Sequence, residues 1–159
     1  MGTPSEFNFF KDCVAPYITN ERKLILCSDH SGFQKKQAII NYIKEKNKNT
    51  YLESPLFYYV DVGCYSDRDC DYTEFVNSAV EVQKSNPGSL IIACCRSGQG
   101  VSIAGNKNKG VRGVVVHNST SAKLGIEHNA ANFFAVSAEY FKDEDIENLL
   151  ENLLNTNFV

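Results

Sequence analysis

The chain has 159 residues, of which 43% are hydrophobic and 22% are charged, and its formal net charge is -3. A chain of this length can bury one hydrophobic core, and its apolar content excludes an intrinsically disordered protein. Lysine and arginine are scattered, and no apolar run approaches the roughly 20 residues that a membrane span needs. We therefore expect neither nucleic acid nor a membrane as a partner.

Residues 1–22 are predicted to be an N-terminal extension, and residues 23–159 a single domain. The extension has weak periodicity interrupted by Pro16, and a short helix is predicted around residues 7–15. Charged residues stand where the apolar region of a secretion signal would lie. We therefore expect a cytoplasmic protein.

After the extension, five apolar runs typical of buried strands alternate with segments of helical periodicity. The predicted strands are residues 23–27, 58–62, 90–94, 111–116 and 133–136. The predicted helices follow the first strand and then lie at about residues 73–85, 99–108, 119–127 and 146–154. This alternation predicts an α/β fold, a single doubly wound, Rossmann-like domain with a five-stranded parallel sheet and helices on both faces.

In such a sheet, ligands bind beyond the carboxyl ends of the strands, where the strand order reverses. The segments that we expect at this crevice are residues 28–32, 63–72, 95–100 and 117–121, together with the approach to the last strand at 128–132.

The strongest chemical signal is the segment CCRSGQGVS at residues 94–102, between the third strand and a helix. Its glycines, Gly98 and Gly100, let the backbone approach a ligand, and amides at the helix start can hold a phosphate or an enolate oxygen. The positive end of the helix dipole favours a thiolate, which makes Cys95 a candidate base. A tight glycine turn with a cysteine that merely packs would explain this segment alone equally well.

Two further pairs of residues carry polar chemistry. Asp29 and His30 follow the first strand, where a carboxylate could accept sugar hydroxyls and an imidazole could bind phosphate or move a proton. His128 and Asn129 precede the last strand, and an imidazole there could open a sugar ring. A helix cap at Asp29 and solvated surface histidines are the alternatives.

Six cysteines occur, at positions 13, 27, 64, 70, 94 and 95, without the paired spacing of a disulfide framework, and we expect free thiols. Since no C-x-x-C pair occurs and the three histidines are far apart in sequence, no metal site is expected. A redox protein using Cys94 and Cys95 is a weaker alternative, because adjacent cysteines lack the spacing of a redox pair.

Together these motifs resemble the ribose-5-phosphate isomerase B family, which includes the galactose-6-phosphate isomerase subunits. The resemblance runs from Lys23 to Phe158, and its specific segments are SDHSGF (28–33), DY (71–72), CRSGQGVSIAGNK (95–107), GVR (110–112) and HNAAN (128–132). It implies an isomerase of the pentose phosphate pathway that interconverts ribose 5-phosphate and ribulose 5-phosphate through an enediolate. It also implies that no metal or organic cofactor takes part and that the site lies at a homodimer interface.

The resemblance implies a role for each matching residue. Cys95 would move the proton between C1 and C2 beside the hydroxyl of Ser97, and His128 would open the sugar ring. Asp29 and Asn129 would bind sugar hydroxyls, and His30 would bind the phosphate. Tyr72 would line the pocket, and the backbone amides around Gly98 and Gly100 would stabilise the enediolate. A branch of the family uses a glutamate where this chain has Val101, so this chain is similar to the cysteine branch.

Arg96 departs from the family, which usually carries glycine at this position. Ile126 likewise stands where the family has an arginine. Arg96 could bind the substrate phosphate with its own guanidinium. Alternatively, its side chain could strain the turn or block the pocket. An isomerase of another sugar phosphate, such as a six-carbon one, and a non-catalytic homologue that binds a sugar phosphate are therefore the other functions that we consider.

Overall fold

A computed structural model describes residues 22–49 and 56–159, so the helix predicted around residues 7–15 lies outside the described residues. The five predicted strands are confirmed as β1 (Lys23–Ser28), β2 (Tyr58–Asp61), β3 (Leu90–Cys95), β4 (Gly113–Val116) and β5 (Phe133–Ser137). Strand β4 starts two residues later than predicted because the amides of Val111 and Arg112 donate to Asn108 and to the Asn132 side chain. These two residues therefore form a turn before the strand.

Five α-helices connect and follow the strands: α1 (Phe33–Lys48), α2 (Tyr72–Ser85), α3 (Gln99–Asn106), α4 (Ser119–Asn129) and α5 (Ile146–Asn155). Short polar residues cap two of them. Asp71 accepts a hydrogen bond from the amide of Thr73 at the start of α2, and Asn118 accepts one from Ser121 at the start of α4. Each cap satisfies an amide that the first helical turn leaves without a partner. None of the described helices is long and apolar enough to cross a membrane.

The strands form one sheet in the order β2-β1-β3-β5-β4, and every neighbouring pair is parallel. The chain runs outward from β1 to β2 and then returns to place β3 on the other side of β1. The strand order therefore reverses between β1 and β3, which places a crevice beyond the carboxyl ends of these two strands. The predicted doubly wound fold is confirmed.

Helices cover both faces of the sheet, because buried side chains alternate along each strand. Leu24 and Leu26 of β1 pack into a cluster with apolar residues of α1, α4 and α5. Ile25 and Cys27, which point the other way, pack into a second cluster with α2 and α3. The two clusters hold the strands in register and leave the loops at the carboxyl edge free to form a site.

Candidate active site

The loops after β1 and β3 pack against each other at the carboxyl edge of the sheet. The amide of Asp29 donates to the carbonyl of Cys94 at 3.2 Å. Gly32 lies so close to this strand end that an added Cβ atom would stand 2.1 Å from the Cys94 oxygen. Only glycine permits this approach. The Asp29 carboxylate accepts a hydrogen bond from the Gly32 amide at 2.8 Å, so Asp29 also stabilises the turn that leads into α1.

Cys95 is the last residue of β3, and its thiol lies at the beginning of α3. Its Sγ accepts a hydrogen bond from the amide of Gly98 at 3.2 Å. Gly98 has a φ of 82°, a left-handed conformation that favours glycine, and an added Cβ atom would lie 2.8 Å from the carbonyl oxygen of Ala135. The turn predicted from the glycine spacing is therefore present. It directs the positive end of α3 toward the Cys95 sulfur.

The two neighbouring thiols of β3 have different surroundings. Cys94 is fully buried in the cluster that α1 and α5 cover, and burial raises its pKa far above the ordinary value for a thiol. Burial also raises the pKa of Cys27, in β1, to about 12. Cys95 points to the opposite face and keeps 5% of its surface exposed. Cys94 and Cys27 are thus held as neutral thiols, and Cys95 is the thiol of β3 beside the crevice.

Tyr72 and His30 come to the same edge from two other loops. An added Cβ atom on Gly100 would lie 3.1 Å from the Tyr72 ring, so this ring covers the first turn of α3. His30 Nδ1 lies 3.4 Å from the amide nitrogen of Cys70 and 3.3 Å from a carboxylate oxygen of Asp69. The loops after β1, β2 and β3 therefore bring Tyr72 and His30 together with the segment that carries Cys95.

Arg96 extends away from the glycine turn. Its side chain is 79% exposed, and its Nε lies 3.4 Å from an oxygen of Glu139, which follows β5. The Arg96 carbonyl accepts hydrogen bonds from Ser137 Oγ and the Glu139 amide, each at 3.0 Å. Its φ is not positive, so Arg96 does not strain the turn. A side chain that is this exposed and contacts Glu139 does not block the pocket. Ser97 lies beside it, and its Oγ accepts a hydrogen bond from the Gln99 amide at 3.2 Å.

His128 and Asn129 lie at the opposite end of the sheet, near the amino ends of its strands. They are the last two residues of α4, both exposed, and this helix returns from the carboxyl end of β4 to the amino end of β5. The carbonyl of Asn132 accepts a hydrogen bond from the amide of Ile91, near the beginning of β3. The expectation that residues 128–132 share the crevice with Cys95 in one chain is wrong, because a segment that precedes a parallel strand lies at its amino end.

The described cysteines, at positions 27, 64, 70, 94 and 95, are free thiols. Within the described residues, no group of three or more histidine, cysteine, aspartate or glutamate side chains is placed to hold a metal ion. The arrangement at the carboxyl edge is instead a thiol beside backbone amides. Such a site can move a proton and stabilise an anion that develops next to it.

The sequence profile described as ribose/galactose isomerase matches residues 24–159. The chain belongs to this family. A probable ribose-5-phosphate isomerase B of Mycoplasma genitalium is 31% identical over 137 residues, which cover 85% of this chain and 84% of that protein.

Two solved structures of this isomerase family are similar to most of this chain. A ribose 5-phosphate isomerase from Thermotoga maritima aligns with a TM-score of 0.76 and 28% identity, over 86% of this chain and 88% of that one. Ribose-5-phosphate isomerase B from Mycoplasma genitalium, solved with bound ribulose-5-phosphate, aligns with a TM-score of 0.72 and 30% identity, over 86% and 85%. The fold implied by the resemblance is confirmed.

Two charged residues of this isomerase, Lys36 and Glu139, were not predicted from the sequence. The side chain of Lys36, on α1, is fully buried against Asp61 at the end of β2. A signal was present, since Lys36 lies three residues before the buried Ile39 and so on the apolar face of the helix. Glu139 carried no comparable signal, because its contact with Arg96 depends on β3 and β5 being neighbours.

Proposed function

We propose that this protein is a cytoplasmic ribose-5-phosphate isomerase that interconverts ribose 5-phosphate and ribulose 5-phosphate. The observation that carries the proposal is the position of the Cys95 sulfur, which accepts a hydrogen bond from the Gly98 amide at the beginning of α3. Membership of the ribose/galactose isomerase family supports it. The relative solved with ribulose-5-phosphate supports the choice of a five-carbon substrate.

In the proposed reaction, Cys95 acts as a thiolate base on the open-chain sugar. It removes the proton from C2, and the electrons of that C–H bond form the C1–C2 double bond while the aldehyde oxygen becomes an anion. The amides around Gly98 and Gly100 stabilise this enediolate. Ser97 exchanges a proton with the two oxygens, and Cys95 returns its proton to C1 to give the ketose. Atoms and electrons balance without an added reactant.

Substrate binding is assigned to the side chains that surround this turn. Asp29 and His30, which follow β1, are proposed to bind a sugar hydroxyl and the phosphate. The ring of Tyr72 forms one wall. Arg96 is proposed to contribute a cation for the phosphate, because its guanidinium is exposed at the rim and its backbone is fixed by β5.

We further propose that the active unit is a homodimer with the site at its interface. His128 and Asn129 cannot reach the Cys95 crevice of their own chain, because they lie near the amino ends of the strands and the crevice lies beyond the carboxyl ends. A second copy could supply them to open the ring and to bind a hydroxyl. Leu124, one helical turn before His128, is 46% exposed, and Ile103 on α3 is 60% exposed. These apolar side chains lie beside the two halves of the proposed site, where a dimer would cover them.

An isomerisation assay in deuterated water tests the proposed function. The purified protein is incubated with ribose 5-phosphate and, in parallel, with galactose 6-phosphate, and products are followed by NMR. We expect ribulose 5-phosphate, with deuterium entering at the carbon that receives the proton, and little turnover of the six-carbon sugar. Turnover of galactose 6-phosphate alone would identify a six-carbon sugar phosphate as the substrate instead. Binding of both sugars without turnover would instead identify a non-catalytic homologue.

A further inference from the structure

Lys36 is a fully buried lysine that no step of the proposed reaction uses. Its Nζ donates to Asp61 Oδ1 at 2.7 Å and to the carbonyl of Cys64. The rings of Phe33 and Tyr65 lie with their centres 5.6 and 5.5 Å from the same nitrogen. Burying a charge is strongly unfavourable unless the charge is paired and hydrogen-bonded. The ammonium of Lys36 therefore depends on these particular partners.

The partners of Lys36 belong to the turn that follows β2. Asp61 Oδ1 also accepts a hydrogen bond from the amide of Gly63 at 3.0 Å. On the other side of the turn, the Ser28 amide donates to the Gly63 carbonyl at 2.8 Å, and the next amide of the turn donates back to the Ser28 carbonyl at 3.0 Å. Lys36 thus anchors a turn that is bonded to the residue directly before Asp29.

We propose that Lys36 is a positioning residue of the active site. Through Asp61 and the turn, it holds Asp29 on one side and the loop that leads to Tyr72 on the other. This inference rests on the proposed function, in which Asp29 binds the sugar and Tyr72 lines the pocket. The same loop contacts His30 through the amide of Cys70. One buried ammonium therefore connects the substrate contacts that follow β1 with those that follow β2.

A positioning role differs from simple stabilisation. Replacing a buried ion pair by uncharged groups of similar volume is often neutral for stability, whereas removing one partner leaves a costly unpaired charge. The double variant Lys36→Met with Asp61→Asn removes both charges together. A matched control is Lys35→Met with Asp143→Asn, since Lys35 lies on the same helix and its ammonium also contacts an aspartate. Neither control residue contacts the turn after β2.

The test compares both double variants with the wild-type protein by hydrogen exchange and by steady-state kinetics. We expect amides of residues 27–32 and 62–72 to exchange faster in the Lys36/Asp61 variant only. We also expect its KM for ribose 5-phosphate to rise about tenfold, because small displacements of substrate contacts are costly. A merely structural role would lower kcat through loss of folded protein and leave KM unchanged.

Unchanged exchange in these segments, or faster exchange with an unchanged KM, would overturn the positioning role. If wild-type protein does not isomerise ribose 5-phosphate, the proposed function fails. In that case the Kd for ribose 5-phosphate, measured by calorimetry, replaces KM. A tenfold weaker Kd with faster exchange then supports Lys36 as a positioning residue of a binding site, and an unchanged Kd overturns it.

Discussion

Cys94 and Cys95 are adjacent in β3, yet their thiols face opposite sides of the sheet. Cys94 packs in the cluster beneath α1 and α5, and Cys95 packs in the cluster beneath α2 and α3. The alternation of side chains along a strand is the cause. Because Cys95 also ends the strand, its sulfur reaches the Gly98 amide. Two chemically identical neighbours therefore have different surroundings.

The first prediction concerns alkylation of the thiols. At pH 8 we expect iodoacetamide to modify Cys95 in the folded protein while Cys27 and Cys94 stay unmodified. The pKa of Cys27 is raised to about 12 and that of Cys94 is raised further by burial, so almost none of either is thiolate at this pH. Peptide mass spectrometry over time measures the three rates. Ribose 5-phosphate should slow the reaction at Cys95, and equal rates at Cys94 and Cys95 would contradict the assignment.

A second prediction tests the shared site of the proposed homodimer. Cys95→Ala and His128→Ala should each lower activity at least about a hundredfold as homodimers, the loss typical of a missing acid-base group. Mixed dimers contain one site with both residues intact. Refolding the two variants together should therefore recover about a quarter of wild-type activity, since half of the dimers are mixed and half of their sites are complete. A mixture no more active than its components would contradict a site shared between subunits.

The third prediction concerns the close packing of Gly32. Gly32→Ala would place a methyl group 2.1 Å from the Cys94 oxygen, where only a backbone shift can relieve the clash. We expect a loss of about 2–3 kcal/mol in the free energy of unfolding. Gly110→Ala is the control, because its Cβ would meet no atom within 4 Å and only its positive φ of 86° opposes the change. Urea unfolding should rank Gly32→Ala as the less stable variant, and the reverse order would refute the packing argument.

Much of the fold was predictable because its signals are local. The apolar run of β3 and the glycines that follow it identify a strand, a turn and a helix start within a dozen residues. The location of His128 was not predicted correctly, because a residue just before β5 in sequence lies at the amino end of this parallel strand and not at the crevice. The apolar face of α1 indicates the burial of Lys36. Its pairing with Asp61 and the contact between Arg96 and Glu139 depend on which strands are neighbours, and no local pattern records that order.

Arg96 leads to a fourth prediction. If its guanidinium binds the substrate phosphate, Arg96→Ala should raise KM for ribose 5-phosphate about tenfold with a smaller effect on kcat, since a charge-assisted hydrogen bond contributes about 1.5–3 kcal/mol. Glu139→Gln removes only the carboxylate that contacts Arg96 and should leave KM within about twofold, because exposed ion pairs are weak. Initial rates over a range of substrate concentrations give both constants. An unchanged KM in Arg96→Ala would exclude Arg96 from the phosphate site.

The central claim is that the Cys95 thiol is the base, and the most direct measurement is kcat for ribose 5-phosphate in Cys95→Ala beside Cys94→Ala. Both variants remove one thiol from the same strand, and circular dichroism checks that both are folded. We predict that Cys95→Ala loses activity by about a thousandfold or more while Cys94→Ala stays within about tenfold of wild type. Retained activity in folded Cys95→Ala would contradict the account.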